Sequence, residues 1–337
     1  MAQPMSDVDV HPIVVSARAA LLTVRNLTLE FRTRSGTVHA LEDVSFYLHK
    51  GETLGLVGES GSGKSVLSYA ILRILDAAGK ITAGSIDFGG MDLLHAPEAH
   101  LADLRGRELA IIFQNPRVAL NPIRTVGKQI EDVLKRHAPL RDEDLRSRAI
   151  GLLQRVRIAD PERRYHAYPF EMSGGQCQRV MIAVALACNP ALLIADEPTT
   201  GLDVTTQAAI MDLVRELGRA RKMATLLITH DLSLAAQYCD RIVVMHAGHV
   251  VESAPTRELF RSPRHPYTAK LIGSIPYGAG SLRELTTIPG TLPDLRSANL
   301  PACRFRDRCE RRIDVCDTRP LARLDDGVHQ TACWNPA

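Results

Sequence analysis

The rhythm of apolar and polar positions changes several times along this chain, and each change predicts an element. Residues 21–57 alternate the two kinds, with Val24, Leu27, Leu29 and Phe31 on the apolar phase and turn signals at Ser35-Gly36 and Lys50-Gly51. A period of two predicts a small antiparallel sheet. The run TLGLV at 53–57 reads as a strand, and 65–75 has helical spacing. Three further short apolar runs, 109–113, 192–196 and 225–229, read as strands, the second fully buried in a parallel sheet. From 115 to 185 the strand rhythm is lost. Residues 126–136 and 143–156 show helical spacing with charged outer faces, which predicts an inserted helical subdomain. Further helices are expected over 178–187 and 203–221.

Chemistry collects at the junctions of these elements. GESGSGKS at 58–65 fits the pattern GxxxxGKS and sits between a strand and a helix. Glycines there let the backbone turn its N–H groups toward a polyphosphate, and the helix N-terminus adds a favourable dipole. Lys64 would reach the β- and γ-phosphates, and Ser65 would ligate Mg²⁺. The expected ATP-binding set is Gly58, Ser60, Gly61, Ser62, Gly63, Lys64, Ser65 and Val66. The strand at 192–196 ends in Asp196, placed to serve the metal, with Glu197 following to orient and deprotonate the attacking water. Gln114 in FQNP and His230 in ITHD each follow another strand. In an open parallel sheet, ligands bind beyond the carboxyl ends of the strands, so these groups should converge.

MSGGQ at 172–176 separates this chain from other phosphate-loop proteins. It resembles the signature LSGGQ of ATP-binding-cassette transporters, with Met172 for the common Leu. The ordered motifs resemble the nucleotide-binding subunit of that family over roughly residues 21–260. The resemblance implies that Ser173, Gly174, Gly175 and Gln176 act in trans, capping the γ-phosphate held by a facing cassette. It also implies that Phe31 stacks on adenine, that Gln114 senses the γ-phosphate and Mg²⁺, that Asp203 forms an inter-subunit loop and that His230 is a switch on the γ-phosphate. On the residues alone, Phe31 also suits a core position at a strand end, and Ser173 an ordinary helix cap. The implied fold class is α/β, a phosphate-loop NTPase core with an antiparallel β subdomain, an inserted helical subdomain and a small C-terminal extension.

Composition narrows the class. With 337 residues, 45% hydrophobic and 23% charged, the chain has room for one large α/β domain and an appendage. A net charge of +3 does not argue for nucleic acid. No run approaches the ~18 apolar residues of a membrane span. The first twenty residues carry Asp7 and Asp9 without a basic start, a poor signal peptide, and are expected to form a loose tail in a cytosolic protein.

Past residue 260 the character shifts. HPYT at 265–268 resembles the marker opening the C-terminal extension of peptide- and nickel-type importer ATPases, TIPGTLPDL at 287–295 resembles part of that extension, and Pro266 should start a short helix. The domains expected are a tail at 1–20, a cassette at 21–260 and an extension at 261–337. The arginines between 304 and 323 alternate with Asp307, Glu310, Asp314 and Asp317, which predicts a solvated helical face. Cys303, Cys309, Cys316 and Cys333 also fall in the extension. A cytosolic location argues against disulfides, so an iron–sulfur cluster, a structural zinc and four unligated thiols stay open. The resemblance to peptide importers implies a 4Fe–4S cluster.

The reading is an ATPase subunit that drives import of peptides across a bacterial inner membrane from its cytoplasmic face. The resemblance implies as partners a second cassette, identical or paralogous, two transmembrane permease subunits and an extracytoplasmic substrate-binding protein, with no nucleic acid. Nickel, glutathione or another small solute are alternative cargoes. A soluble non-transport cassette protein and an exporter ATPase are the rival classes.

Overall fold

A computed structural model describes residues 20–138, 141–275, 287–297, 299–317 and 321–337. Positions 1–19 of the expected N-terminal tail lie outside them, and Ala20 already belongs to a strand. The chain divides into two units, one of Met1–His49, Leu54–Leu94 and Thr229–Ala337, the other of Lys50–Thr53 and His95–Ile228.

In the first unit the alternating segment forms a hairpin of strands Ala20–Thr33 and Gly36–His49. Leu22, Val24, Leu27, Leu29, Leu41, Val44 and Leu48 are wholly buried, the half-apolar outcome that a period of two requires. Strand Gly79–Phe88 pairs antiparallel with Ala20–Thr33, and Met91–Asp92 completes a four-stranded sheet. The third strand escapes sequence reading because only Ile86 and Phe88 of its ten residues are buried, after a half-buried to exposed stretch that contains Gly84.

The same unit holds strand Thr53–Val57 parallel to Arg241–His246, which pairs antiparallel with His249–Pro255. A short hairpin of the extension, Leu324–Asp325 and Gln330–Thr331, continues this pairing through Glu252 and Thr331. The helix expected at 65–75 runs Lys64–Leu72, because Arg73 turns into the left-handed region at φ 55°. Pro266 does open a helix, Pro266–Gly273, while 287–297 carries no helix or strand.

In the second unit, strands Leu109–Ile112, Leu192–Asp196 and Ala224–Thr229 pair in parallel, with Leu109 opposite Leu192 and Asp196 opposite Ile228. Helices Val126–His137, Asp142–Arg155, Gly174–Ala185 and Val204–Arg221 accompany them. Their apolar stripes, including Ile130, Leu134, Ala149, Leu153, Val180 and Leu213, join one buried cluster. Among the described residues no helix is long and apolar enough to cross a membrane.

Candidate active site

Close packing leaves no room for a side chain at two glycines of the phosphate loop, which lies in the first unit. A Cβ at Gly58 would stand 2.1 Å from the Met245 carbonyl oxygen, and one at Gly63 would stand 2.9 Å from the Ala40 carbonyl oxygen. Gly63 also has φ 101°, a conformation that side chains resist. The Lys64 ammonium donates to the carbonyls of Gly58 at 2.8 Å and Glu59 at 2.9 Å, while Ser62 donates its N–H to the Glu59 carbonyl. Lys64 and Ser62 are buried, Ser65 and Val66 half-buried, and Ser60 and Gly61 exposed. A glycine-rich turn with one fixed cation, leading into a helix N-terminus, suits a polyphosphate. Gly58→Ala should therefore weaken ATP binding and lower the thermal midpoint, since overpacking of this kind costs about 1–3 kcal/mol. Parental values for both would show that the close approach is dispensable.

Phe31 is half-buried in the hairpin, its ring 2.8 Å from where a Cβ on Gly79 would sit. His230 is exposed directly after strand Ala224–Thr229, and Asp231 caps the helix Leu232–Tyr238.

The second unit holds Gln114, Asp196 and Glu197 of the expected catalytic and metal-binding residues. Asp196 ends its strand with 2% of its surface exposed. Glu197 follows at φ 47°, a left-handed turn that costs a non-glycine residue about 1–2 kcal/mol. The Glu197 carboxylate accepts hydrogen bonds from Gln114 Nε2 at 2.7 Å and Thr200 Oγ1 at 3.0 Å, both on Oε2. Gln114 stands two residues past the strand Leu109–Ile112, so the expected meeting beyond the strand ends holds for this pair.

Ser173 caps the helix Gly174–Ala185 in a capping box with Gln176: Gln176 N–H donates to the Ser173 hydroxyl at 3.3 Å, and Ser173 N–H donates to Gln176 Oε1 at 3.0 Å. Met172 is buried, whereas nothing lies within 4 Å of a Cβ built on Gly174. Gly175 lies against Thr206, whose N–H and hydroxyl bond to Asp203. Those bonds hold the Asp203 carboxyl below the usual carboxylate range, so it is a firm anion at the start of the helix Val204–Arg221.

Comparison with known proteins decides the family. The chain is 50% identical over 310 residues to a Brucella melitensis protein named as a peptide import ATP-binding protein, covering 92% of this chain and 93% of that one. It belongs to the ABC transporter family. The model of that family matches residues 41–200, and the model described as the oligopeptide/dipeptide transporter C-terminal region matches 251–316. The dipeptide transport ATP-binding protein of Bacillus subtilis is 44% identical over 316 residues, 93% of this chain and 94% of the relative. A solved dimeric ATP-binding cassette in a post-hydrolysis state, bound to ADP and phosphate, aligns at TM-score 0.63 and 28% identity, covering 70% of this chain and 99% of that one. The protein is thus an ABC ATPase with the α/β phosphate-loop fold.

In this cassette's extension the four cysteines line one small cavity with His265, Phe305 and Trp334. Burial pushes the Cys303 thiol up to about 12 and Cys333 up to about 11, and the neighbouring thiols push the same way. The donor chemistry suits a soft metal, yet among the described residues no group of three or more His, Cys, Asp or Glu is disposed to hold one. The shared cavity is the observation that bears on the 4Fe–4S cluster expected from resemblance.

The expected solvated helical face of arginines is also corrected. The segment forms short 3₁₀ turns at Arg306–Arg308 and Asp314–Asp317, and Arg304 and Arg308 are buried. Arg304 donates to the carbonyls of His39 and Ala247 and pairs with Glu42, whereas Arg306 and Arg312 share Asp317 nearer the surface. Sequence reading passed over Arg308 and its acceptor Glu59, because 249 positions separate them.

Proposed function

We propose that this ATPase drives uptake of peptides across a bacterial inner membrane from its cytoplasmic face. The match of residues 251–316 to the oligopeptide/dipeptide transporter C-terminal region carries the reading. Lys64 and the loop N–H groups bind the phosphates of ATP. Asp196 and Ser65 are the residues that would hold Mg²⁺, which supplies charge neutralisation on the phosphate oxygens when bound. Glu197 orients the attacking water and takes its proton as the water oxygen bonds to the γ-phosphorus and the bond to ADP breaks. Gln114, bonded to Glu197, ties that base to the segment beginning at Asn115.

A second cassette would complete each site with its Ser173-Gly174-Gly175 segment, and Asp203 would face it across the pair. Membrane permeases are the partners we assign to the apolar side chains left exposed near Gln114 and in the helical subdomain, Val118, Ile123 and Phe170, the last stacked on Tyr168. The peptide itself would be supplied by an extracytoplasmic binding protein. Co-reconstitution in vesicles with the permeases and binding protein should give ATP-dependent uptake of labelled dipeptide or oligopeptide, with ATPase activity raised above that of the isolated chain. Uptake of nickel or glutathione in place of peptides would overturn the cargo, and full activity in a dilute monomer would overturn the paired-site mechanism.

For the extension we propose that Cys303, Cys309, Cys316 and Cys333 are the ligands of a 4Fe–4S cluster with a structural role, a reading supported by their common cavity and by the resemblance. Protein prepared without oxygen should contain iron and sulfide in equal amounts, lost in Cys309→Ser and Cys316→Ser. Zinc without iron would replace the cluster with a tetrahedral zinc site. Absence of both metals would leave packed thiols.

A further inference from the structure

Glu59, the second residue of the phosphate loop, is gripped from the extension on both its backbone and its side chain. Its N–H donates to the hydroxyl of Tyr267 at 3.0 Å. Its carboxylate receives the two prongs of the Arg308 guanidinium, Nη1 to Oε2 and Nη2 to Oε1, each at 2.8 Å. Arg308 is in turn held by the Pro289 carbonyl at 2.7 Å through Nε, and its Nη1 lies 3.1 Å from Nε2 of His246. Burial pushes that imidazole down to about 2, so it is neutral and its Nε2 can accept. Tyr267, His246 and Phe305 pack their rings together with centroids 4.7–5.3 Å apart, which fixes where the Tyr267 hydroxyl points.

The grip continues to the phosphate-binding cation. The Glu59 carbonyl accepts from Lys64 Nζ at 2.9 Å and from Ser62 N–H at 3.1 Å. One peptide group is therefore clamped at its N–H by Tyr267, and the next accepts from Lys64. A loop preorganised in this way loses less freedom when phosphate binds, and the saving appears as affinity. Both contacts are specific in kind. Arg308 makes a bidentate fork that lysine cannot reproduce, and Tyr267 contributes an acceptor that phenylalanine lacks.

We infer that Arg308 and Tyr267 are positioning residues for the phosphate loop, through which the C-terminal extension sets the affinity of this cassette for ATP. The inference rests on the assignment of residues 58–65 to ATP. It gives the tyrosine of the HPYT segment a role in nucleotide binding although it touches no nucleotide itself.

The test measures the Kd of a fluorescent ATP analogue with Mg²⁺, kcat at saturating ATP and the thermal midpoint on the full chain. Arg308→Met should raise Kd about tenfold, in keeping with loss of a charge-assisted bidentate pair, with a much smaller change in kcat. Arg308→Lys should recover part of the affinity, and Tyr267→Phe should raise Kd by a few-fold. In a Glu59→Gln background, Arg308→Met should add little, because the acceptor of the fork is already weakened. Parental Kd in both Arg308→Met and Tyr267→Phe would overturn the inference, as would an Arg308→Met effect undiminished by Glu59→Gln. Should Arg308→Met fail to fold, Tyr267→Phe and Glu59→Gln carry the same test, since each alters one polar group and opens no cavity. Lys64→Ala separates the two layers. If it binds the analogue like the parent, the ATP site is misassigned; if it alone loses affinity, the site stands and the positioning role falls.

Discussion

Glu197→Gln should bind ATP at close to parental strength and hydrolyse it about 10²–10⁴-fold more slowly, the usual loss when a positioned general base is removed. The substitution keeps the side chain's shape, and its amide oxygen can still accept from Gln114 and Thr200, which both bond to Oε2 of the native carboxylate. What disappears is the basicity. The left-handed backbone at residue 197 supports the assignment, because a strained conformation persists where the surrounding structure over-determines it, and such residues cluster at active sites. Phosphate release measured beside analogue binding checks both halves of the expectation. Parental turnover would remove Glu197 from the reaction.

Gly174→Asp should split stability from activity. Nothing stands within 4 Å of a Cβ at this position, and a carboxylate in the first turn of the helix Gly174–Ala185 is favoured by the helix dipole. The thermal midpoint of the isolated chain should hold or rise slightly. In the paired cassette the same carboxylate would meet the γ-phosphate of the facing subunit, and like charges brought together at an interface cost several kcal/mol, so ATPase activity should fall by about 100-fold or more. Unchanged activity with unchanged stability would show that residues 173–175 do no more than start a helix.

The contrast between these two sites shows what sequence reading can reach. The phosphate loop was legible because its properties are local. Eight contiguous residues carry the glycines, the lysine and the hydroxyl, and the flanking apolar strand and helix are set by short periodicities. The Ser173 cap was legible for the same reason, with donor and acceptor three residues apart. The meeting of Gln114 with Glu197 spans 83 positions but follows a general rule of parallel sheets, so the strand pattern was enough to anticipate it.

Elsewhere long-range packing overrode the local pattern. The arginine-rich stretch at 304–323 has the alternating charges of a solvated helix, yet Arg304 and Arg308 turn inward, because acceptors from remote strands and from the phosphate loop satisfy them there. A buried guanidinium is tolerable only with such partners, and charge spacing carries no information about them. Spacing likewise could not say how the four thiols are arranged. Their collection around one cavity depends on the path of a segment that forms only short turns and two-residue strands. Sequence alone thus determined the cassette fold and its family and supplied the candidate chemical groups, since each is written in contiguous residues or in simple periods. The clamp of the extension on Glu59 came only from the folded chain, because hydrogen bonds across some 200 to 250 positions leave no local signature.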